Sequence, residues 1–343
     1  MIVEVARIID NSVNARIALG FQEQSFPKGH RDQVLGSLAV VCVNLLCKYV
    51  RIEKEFAKTL AMQLSEQNRL AMLALGVACC LLSQSGCAVM GRFSPLRPLE
   101  RSLIYYPAKT LAQTNTELAG SLEDARFQSS DGTQLHGIFI NHPKPVAVAL
   151  WMHGNAGNVS HRVDSLRLLS ERHGMAALVF DYRGYGKSEG KPDEKGILED
   201  ARAARAWLAN RMGVAESEIV LMGRSLGGGV AVDLAAKDGA RGLVLASTFT
   251  SLPDAGKAQL PWVPTSLLMT QRLDSLSKIG DYTGPLLQSH GDADKVIPYE
   301  LGQQLFAAAN EPKQFVTIKG GGHNDPQSEE YRRALDRFLA ELP

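Results

Sequence analysis

The sequence has no cysteine after Cys87. All five cysteines of the 343-residue chain lie at or before that position, so no disulfide framework can staple the C-terminal three quarters. Paired Cys-x-x-Cys motifs are also missing, which argues against a structural zinc site. We therefore expect burial of a hydrophobic core alone to hold the larger part of the chain together.

The sequence also lacks an excess of charge of either sign. It has 37 Lys and Arg residues against 36 Asp and Glu residues, a formal net charge of +1. Proteins that bind nucleic acid usually carry a clear basic excess, so we expect no nucleic-acid partner. The hydrophobic fraction of 45% is ordinary for a globular protein, and the length allows one large domain or two small ones.

The N-terminal residues 1–61 give no clear pattern. Their one apolar run, residues 34–47, has basic residues on both sides and is short for a membrane span. We interpret residues 1–61 as an N-terminal extension of uncertain role. It is either a domain segment with a buried helix or sequence upstream of a true start at Met62.

Residues 62–87 have the order of features typical of a secretory signal or membrane anchor. A polar segment ends in Arg69, residues 70–82 are apolar, and small polar residues precede Cys87. The segment resembles a bacterial lipoprotein signal, in which this cysteine is lipidated, although Gln84 stands where leucine is usual. That interpretation predicts a membrane-associated protein facing the periplasm. An uncleaved membrane anchor or a plain core helix are the alternatives, and a cytoplasmic location is the alternative placement.

From residue 122 onward, strand and helix patterns alternate. We interpret residues 88–121, which contain several prolines, as a tether and residues 122–343 as one domain. The domain opens with a hairpin signal at Asp131-Gly132, followed by short apolar runs separated by amphipathic helices. Continuous apolar runs are typical of strands buried on both faces of a parallel sheet. The predicted fold class is therefore α/β, with a mostly parallel, doubly wound sheet.

The pentapeptide Gly-x-Ser-x-Gly occurs twice, at residues 186–190 and 223–227. A nucleophilic serine needs a tight turn between a buried strand and a helix, which presents its hydroxyl at the edge of the sheet. An apolar run precedes Ser225 and a helical pattern follows it, so we predict Ser225 as the nucleophile. Ser188 is followed by a Pro-containing turn sequence, and we interpret it as a decoy.

A serine hydroxyl needs a base to remove its proton, and an acid that fixes the tautomer of that base. After Ser225 the chain has two histidines. His290 ends a predicted strand, whereas His323 lies in a glycine-rich loop before the last helix, so we predict His323 as the base. Asp292 and Asp294 compete for the role of the acid. Asp294 lies further out on its loop and is the better candidate, while Asp292 suits a turn-stabilising role.

The negative charge of an acyl-transfer transition state needs backbone N–H donors. We expect one donor from Leu226, directly after the nucleophile. The second is expected from Asn155, in the loop of residues 153–158 that follows a buried strand. Neither a metal nor an organic cofactor is expected.

These segments together resemble the α/β-hydrolase superfamily over roughly residues 100–343. The resemblance rests on residues 153–158, 181–188, 223–227 and 290–298 with 322–325. The subgroup that the chain resembles is the serine-aminopeptidase-like and lipid-thioesterase-like hydrolases, which are related to depalmitoylases. It implies the α/β-hydrolase fold, and Asp294 and His323 occupy its acid and base positions.

The resemblance also implies a short lid, at about residues 247–284. Four apolar lid residues either wall an acyl pocket or merely pack the lid onto the sheet: Trp262, Leu267, Leu268 and Met269. A small lid favours a small-molecule or lipid-like acyl substrate. The predicted activity is hydrolysis of a carboxylic ester or thioester through an acyl-Ser225 intermediate. A serine peptidase is the alternative enzyme, and a non-catalytic binding protein on a hydrolase fold is the alternative of another class.

Overall fold

The computed structural model describes residues 97–112 and 122–343. The predictions for residues 1–61, for the signal-like segment 62–87 and for lipidation of Cys87 lie outside these described residues. Within them, no helix is both long and apolar enough to cross a bilayer.

Ten strands and eight α-helices make up the described residues. The strands are β1 Tyr106–Pro107, β2 Leu122–Gln128, β3 Gln134–Ile140, β4 Ala147–Met152, β5 Ala156–Gly157, β6 Met175–Asp181, β7 Ile219–Arg224, β8 Gly242–Ala246, β9 Leu286–Gly291 and β10 Lys313–Ile318. The helices are α1 Arg97–Ile104, α2 Val163–Glu171, α3 Glu194–Met212, α4 Leu226–Asp238, α5 Leu252–Gln259, α6 Thr265–Leu268, α7 Tyr299–Ala308 and α8 Glu329–Ala340.

Eight of the strands form one sheet in the order β2-β3-β6-β4-β7-β8-β9-β10. The pairs β2–β3 and β3–β6 are antiparallel, and every other neighbouring pair is parallel. The crossover connections contain helices, as parallel pairing requires. The predicted α/β class with a mostly parallel sheet is thus confirmed.

Hydrophobic cores lie on both faces of this sheet. Neighbouring residues of one strand point to opposite faces, so Leu178 and Leu221 enter one core while Val179 and Val220 enter the other. Helices α3 and α4 cover the first face, and α2 and α8 cover the second. Because the central strands are buried on both sides, they read as continuous apolar runs in the sequence.

The segment that we interpreted as a tether is not a free linker where the structure describes it. Helix α1 and strand β1 pack on the domain: Glu100 accepts hydrogen bonds from the backbone N–H groups of Thr270 (2.6 Å) and Gln271 (2.8 Å). Arg101 forms an ion pair with Asp193, and Tyr105 is only 3% exposed. The burial of Tyr105 and this paired charge hold residues 97–112 against the sheet domain, so the compact unit begins before residue 122.

Candidate active site

Ser225 stands between β7 and α4, on a turn with unusual backbone geometry. Its φ of 53° and ψ of −119° are strained for a residue with a Cβ atom. The turn also needs glycines for space: a Cβ on Gly223 would lie 2.4 Å from the Gly227 oxygen, and one on Gly227 would lie 2.1 Å from the Met152 oxygen. Strand and helix therefore approach more closely here than side chains allow, and the turn lifts the serine hydroxyl out of the sheet edge.

Of the three residues predicted as a triad, His323 lies within hydrogen-bond distance of both Ser225 and Asp294. His323 Nε2 is 3.1 Å from Ser225 Oγ, and His323 Nδ1 is 2.7 Å from Asp294 Oδ2. The nearby carboxylate places the ring proton on Nδ1, which leaves Nε2 free to accept the proton of the hydroxyl. The three residues come from the ends of β7, β9 and β10, and the parallel sheet brings these ends to one edge.

Asp294 is held in its ionised form by its surroundings. Its Oδ1 accepts hydrogen bonds from the backbone N–H groups of Val296 (2.8 Å) and Ile297 (2.9 Å). Burial by itself would raise the pKa of this carboxyl, but hydrogen bonds from His290, His323 and the backbone lower the pKa well below its ordinary value. A fully buried carboxylate facing an imidazole can stabilise the imidazolium that forms when the base takes a proton.

The other acidic residues of these loops have turn-stabilising contacts. Asp292 Oδ1 accepts a hydrogen bond from Gly320 N at 2.6 Å, and Asp325 Oδ2 accepts one from Gly322 N at 2.7 Å. Both contacts shape the glycine-rich loop that carries His323. Among residues 97–112 and 122–343, no three His, Cys, Asp or Glu side chains are grouped so that they could hold a metal ion.

Arg224 is a site residue that the sequence reasoning did not single out. Its Nη2 donates a hydrogen bond to the backbone carbonyl of His323. The side chain is half-buried, and burial lowers its pKa, although Asp294 opposes that shift. A charged residue inside an otherwise apolar strand end is the signal that could have revealed it, because such a residue needs a partner. The contact ties the loop that carries His323 to the strand that precedes Ser225.

The loop of residues 153–158, which we call the oxyanion loop because it contains the predicted donor Asn155, lies next to Ser225. A Cβ atom on Gly154 would be 3.5 Å from Ser225 Cβ. Leu226 is the first residue of α4, so its N–H belongs to the helix donors that have no partner within the helix. The loop that carries Asn155 therefore lies beside Ser225, and Leu226 follows Ser225 directly in the chain.

The decoy serine has a different environment. Ser188 is 1% exposed, and its Oγ donates to the backbone oxygen of Asp181 at 2.7 Å. Ser188 Oγ in turn accepts a hydrogen bond from the backbone N–H of His136 at 2.9 Å. The hydroxyl of Ser188 thus links strands β3 and β6 inside the protein, and both of its hydrogen bonds are to backbone groups.

The four lid residues do not form the enclosed wall that the pocket hypothesis expects. Trp262 is 61% exposed and Leu267 is 81% exposed, while Leu268 is half-buried and Met269 packs against the hydrophobic core. The reason lies in the short helix α6, where Thr265 is buried through a hydrogen bond to the Pro253 oxygen. Residues two positions apart on a helix point in nearly opposite directions, so Leu267 turns to solvent.

The described cavity lies elsewhere. It has a volume of about 200 Å³ and is found on the sheet face that α2 and α8 cover. Its lining includes Trp151, Leu168, Met222, Arg224 and Leu335, and none of the four lid residues. The acyl pocket assigned to the lid therefore stays a prediction.

Comparison with known proteins gives a consistent group. The family model described as serine aminopeptidase, S33, matches residues 143–276, a range that contains Ser225 but neither Asp294 nor His323. The uncharacterized protein Rv2307c of Mycobacterium tuberculosis is 37% identical over 247 residues, covering 71% of this chain and 88% of its own length. The alpha/beta hydrolase domain-containing protein WAV2 of Arabidopsis thaliana is 31% identical over 265 residues, covering 70% of this chain and 86% of its own.

Solved structures agree with this on the fold. The esterase Pf2001 of Pyrococcus furiosus superimposes with a TM-score of 0.59 at 20% identity, covering 70% of this chain and 98% of its own. An alpha-beta hydrolase from Vibrio vulnificus gives a TM-score of 0.58 at 22% identity, covering 73% of this chain and 93% of its own. At such low identity these likenesses concern the fold alone.

Proposed function

The chain belongs to the α/β-hydrolase superfamily, and from this premise we propose that it hydrolyses a carboxylic ester or thioester with Ser225 as nucleophile. The observation that carries the proposal is the hydrogen-bonded series Asp294–His323–Ser225 at a strained strand-to-helix turn. A buried serine hydroxyl, an imidazole and a carboxylate in this order are the elements of nucleophilic acyl transfer.

In the proposed first step, Ser225 Oγ attacks the acyl carbon while His323 Nε2 takes the hydroxyl proton. The tetrahedral intermediate collapses, His323 returns the proton to the leaving alcohol or thiol, and the acyl group stays on Ser225. In the second step a water molecule, deprotonated by His323, attacks the acyl-serine and releases the acid. Asp294 keeps the ring in the required tautomer through both steps.

The oxyanion of each intermediate is proposed to accept hydrogen bonds from the N–H groups of Leu226 and Asn155. The position of the oxyanion loop beside Ser225 supports this assignment. One such donor typically lowers the activation free energy by about 3 kcal/mol, which raises the rate roughly a hundredfold or more.

A serine peptidase is the second candidate, because the matching family model is described as a serine aminopeptidase. An aminopeptidase must bind the substrate ammonium group, and a carboxylate near the triad is the usual partner for such a cation. The loop carboxylates Asp292 and Asp325 already accept backbone hydrogen bonds in the structure. Each of these carboxylates keeps free acceptor positions, so neither excludes a peptidase. The short lid expected at about residues 247–284 is the feature that favours the ester or thioester over the peptide.

The test of the nucleophile is covalent labelling with a fluorophosphonate probe. We expect wild type and Ser188→Ala to be labelled and Ser225→Ala to stay unlabelled, because the probe reacts with an activated serine hydroxyl. Labelling that survives Ser225→Ala and is lost in Ser188→Ala would reverse the assignment. Wild type without any labelling would instead support a non-catalytic binding protein. Hydrolysis of p-nitrophenyl esters against p-nitroanilides of amino acids then separates the esterase from the peptidase.

A further inference from the structure

Residues 105–112, which we call the strap, run along the oxyanion loop. Strands β1 and β5 pair in parallel, with Tyr106 opposite Ala156 and Pro107 opposite Gly157. The backbone N–H of Ala108 donates to the Gly157 oxygen at 3.2 Å. The oxyanion loop is therefore paired on one side with chain that precedes the main sheet in sequence.

Asn158 joins the strap to the C-terminal end of the oxyanion loop. Its Nδ2 donates to the backbone oxygens of Ala108 (2.9 Å) and Thr110 (2.8 Å), and the residue is fully buried. Its Oδ1 accepts from Ser160 N at 3.0 Å, and Ser160 Oγ accepts from Ala112 N at 2.8 Å. The side-chain amide of Asn158 thus has all of its described polar contacts in the strap and in the turn that follows the loop.

Asn155, the proposed oxyanion donor, is also held from the strap. Its Oδ1 accepts hydrogen bonds from Tyr106 N (3.2 Å) and from the hydroxyl of Tyr185 (3.0 Å). Two donors therefore fix the side chain of Asn155, the residue whose backbone N–H is the proposed oxyanion donor. Fixing the side chain restricts rotation of the peptide group whose N–H would face the oxyanion.

The strap is itself anchored to the domain. The hydroxyl of Tyr105 donates to Gln271 at 3.1 Å, and Lys109 Nζ donates to the Ser188 oxygen at 2.7 Å. The oxygen of Ala108 accepts from Gly186 N at 3.0 Å. Because it is held on both sides, the strap can transmit the rigidity of the domain to the oxyanion loop.

We propose that the strap is a positioning element, which holds the oxyanion loop in the geometry that the transition state requires. The proposal rests on the proposed function. Residues 154–157 are small and carry two glycines, so the loop has little intrinsic rigidity. Oxyanion donors act through preorganisation, since they must not reorient while charge develops. Loosening the strap therefore lowers kcat and leaves KM nearly unchanged.

The test is Asn158→Asp compared with Asn310→Asp. Both asparagines donate through Nδ2 to two backbone carbonyls; the Asn310 contacts are Gly280 (2.7 Å) and Tyr282 (2.9 Å), away from the oxyanion loop. The change replaces the donor Nδ2 with an acceptor oxygen, so each variant loses its hydrogen bonds to the two backbone carbonyls. We expect both variants to lose thermal stability, and only Asn158→Asp to lose activity. Its kcat falls about 10- to 100-fold at constant KM, a fraction of the full donor effect.

Ala112→Pro provides an independent variant on the strap itself. It removes the N–H that binds Ser160, and Ala112 is exposed, so the proline ring meets no packed core. The control is Ala112→Gly, which keeps the N–H and adds flexibility. We expect a lower kcat in Ala112→Pro and none of that loss in Ala112→Gly.

A kcat that falls equally in the two Asp variants, or in neither, would overturn the strap proposal even if Ser225 is labelled. If Asn158→Asp does not fold, equal kcat values in Ala112→Pro and Ala112→Gly overturn it. Failure of the proposed function has a separate signature, which is fluorophosphonate labelling that persists in Ser225→Ala.

Discussion

The two Gly-x-Ser-x-Gly segments of this chain share a pattern and differ in every physical respect that matters for catalysis. Ser225 sits at φ 53° between a strand and a helix, with an imidazole 3.1 Å from its hydroxyl. Ser188 follows β6 in a turn, and its hydroxyl donates a hydrogen bond to the backbone oxygen of Asp181 inside the protein. A hydroxyl that already satisfies the backbone is not available to a substrate, so the flanking elements decide the role of each serine.

The surroundings of Ser188 explain why the pattern occurs there. Asp181 is fully buried and accepts a hydrogen bond from Val159 N at 2.9 Å, and Gly186 leaves room for its carboxylate, which lies 2.0 Å from where a Cβ would be. The imidazoles of His136 and His153 lie 3.6 and 3.8 Å from the same carboxylate. The segment around Ser188 thus folds around a buried acid and has a structural purpose.

Of the changes that would sharpen the comparison of the two serines, Asp294→Asn is expected to have the largest effect, a loss of kcat, because Asp294 contacts the histidine beside Ser225. The amide can keep the backbone contacts of Oδ1. Because it is uncharged, it neither holds the ring proton of His323 on Nδ1 nor stabilises the imidazolium. We expect kcat to fall about 10³- to 10⁴-fold, measured on an ester that wild type hydrolyses. Asp292→Asn is the matched control and keeps its acceptor for Gly320 N. Equal losses in the two variants would mean that the acid assignment is wrong.

A smaller effect, on the pH dependence of the free energy of unfolding, is expected from His153, which lies in the buried network around Asp181. Burial lowers the pKa of His153 from 6.5 to about 4. Between these values the unfolded chain binds more protons than the folded chain, so the free energy of unfolding falls as the pH drops from 6.5 to 4. The linked loss is about 3 kcal/mol. We expect denaturant unfolding of His153→Gln to lack this pH dependence; an unchanged slope would contradict the assignment.

The smallest effect is expected from Ser188→Ala. Loss of the hydroxyl leaves His136 N without its acceptor, so the free energy of unfolding should fall by about 1–3 kcal/mol while kcat stays near that of wild type. Ser289→Ala is a matched control, since the described structure gives the buried Ser289 hydroxyl no hydrogen-bond partner. We expect little change in stability there. A large loss of kcat in Ser188→Ala would break the comparison between the two serines.

The predictable part of the site rests on features that are local in sequence. An apolar strand, a glycine-flanked serine and a helical run are adjacent in the chain, so the turn at Ser225 could be predicted. The order in which serine, acid and histidine follow parallel strands brought Asp294 and His323 to one edge. The lid was harder, because the exposure of Leu267 depends on which side of a four-residue helix is packed.

The role of residues 97–112 could not be predicted either. Prolines suggested a tether, yet these residues pair with a loop about fifty positions later in the chain. Their contacts use mostly backbone groups, which every sequence possesses, so no residue pattern announces them. The contact of Arg224 with the His323 carbonyl differs, because a charged residue in an apolar strand end signals that a partner is needed, although the sequence does not say which carbonyl provides it.

The sequence by itself determined the alternation of buried strands and helices, and with it the sheet and the position of the serine turn, because burial and turn geometry depend on side chains close in the chain. Only the tertiary structure decided which polar groups of distant segments meet, as the strap does with the oxyanion loop and Arg224 with the loop of His323. It also decided which apolar lid residues face solvent. The physical reason is that backbone hydrogen bonds and packing directions depend on the path of the whole chain.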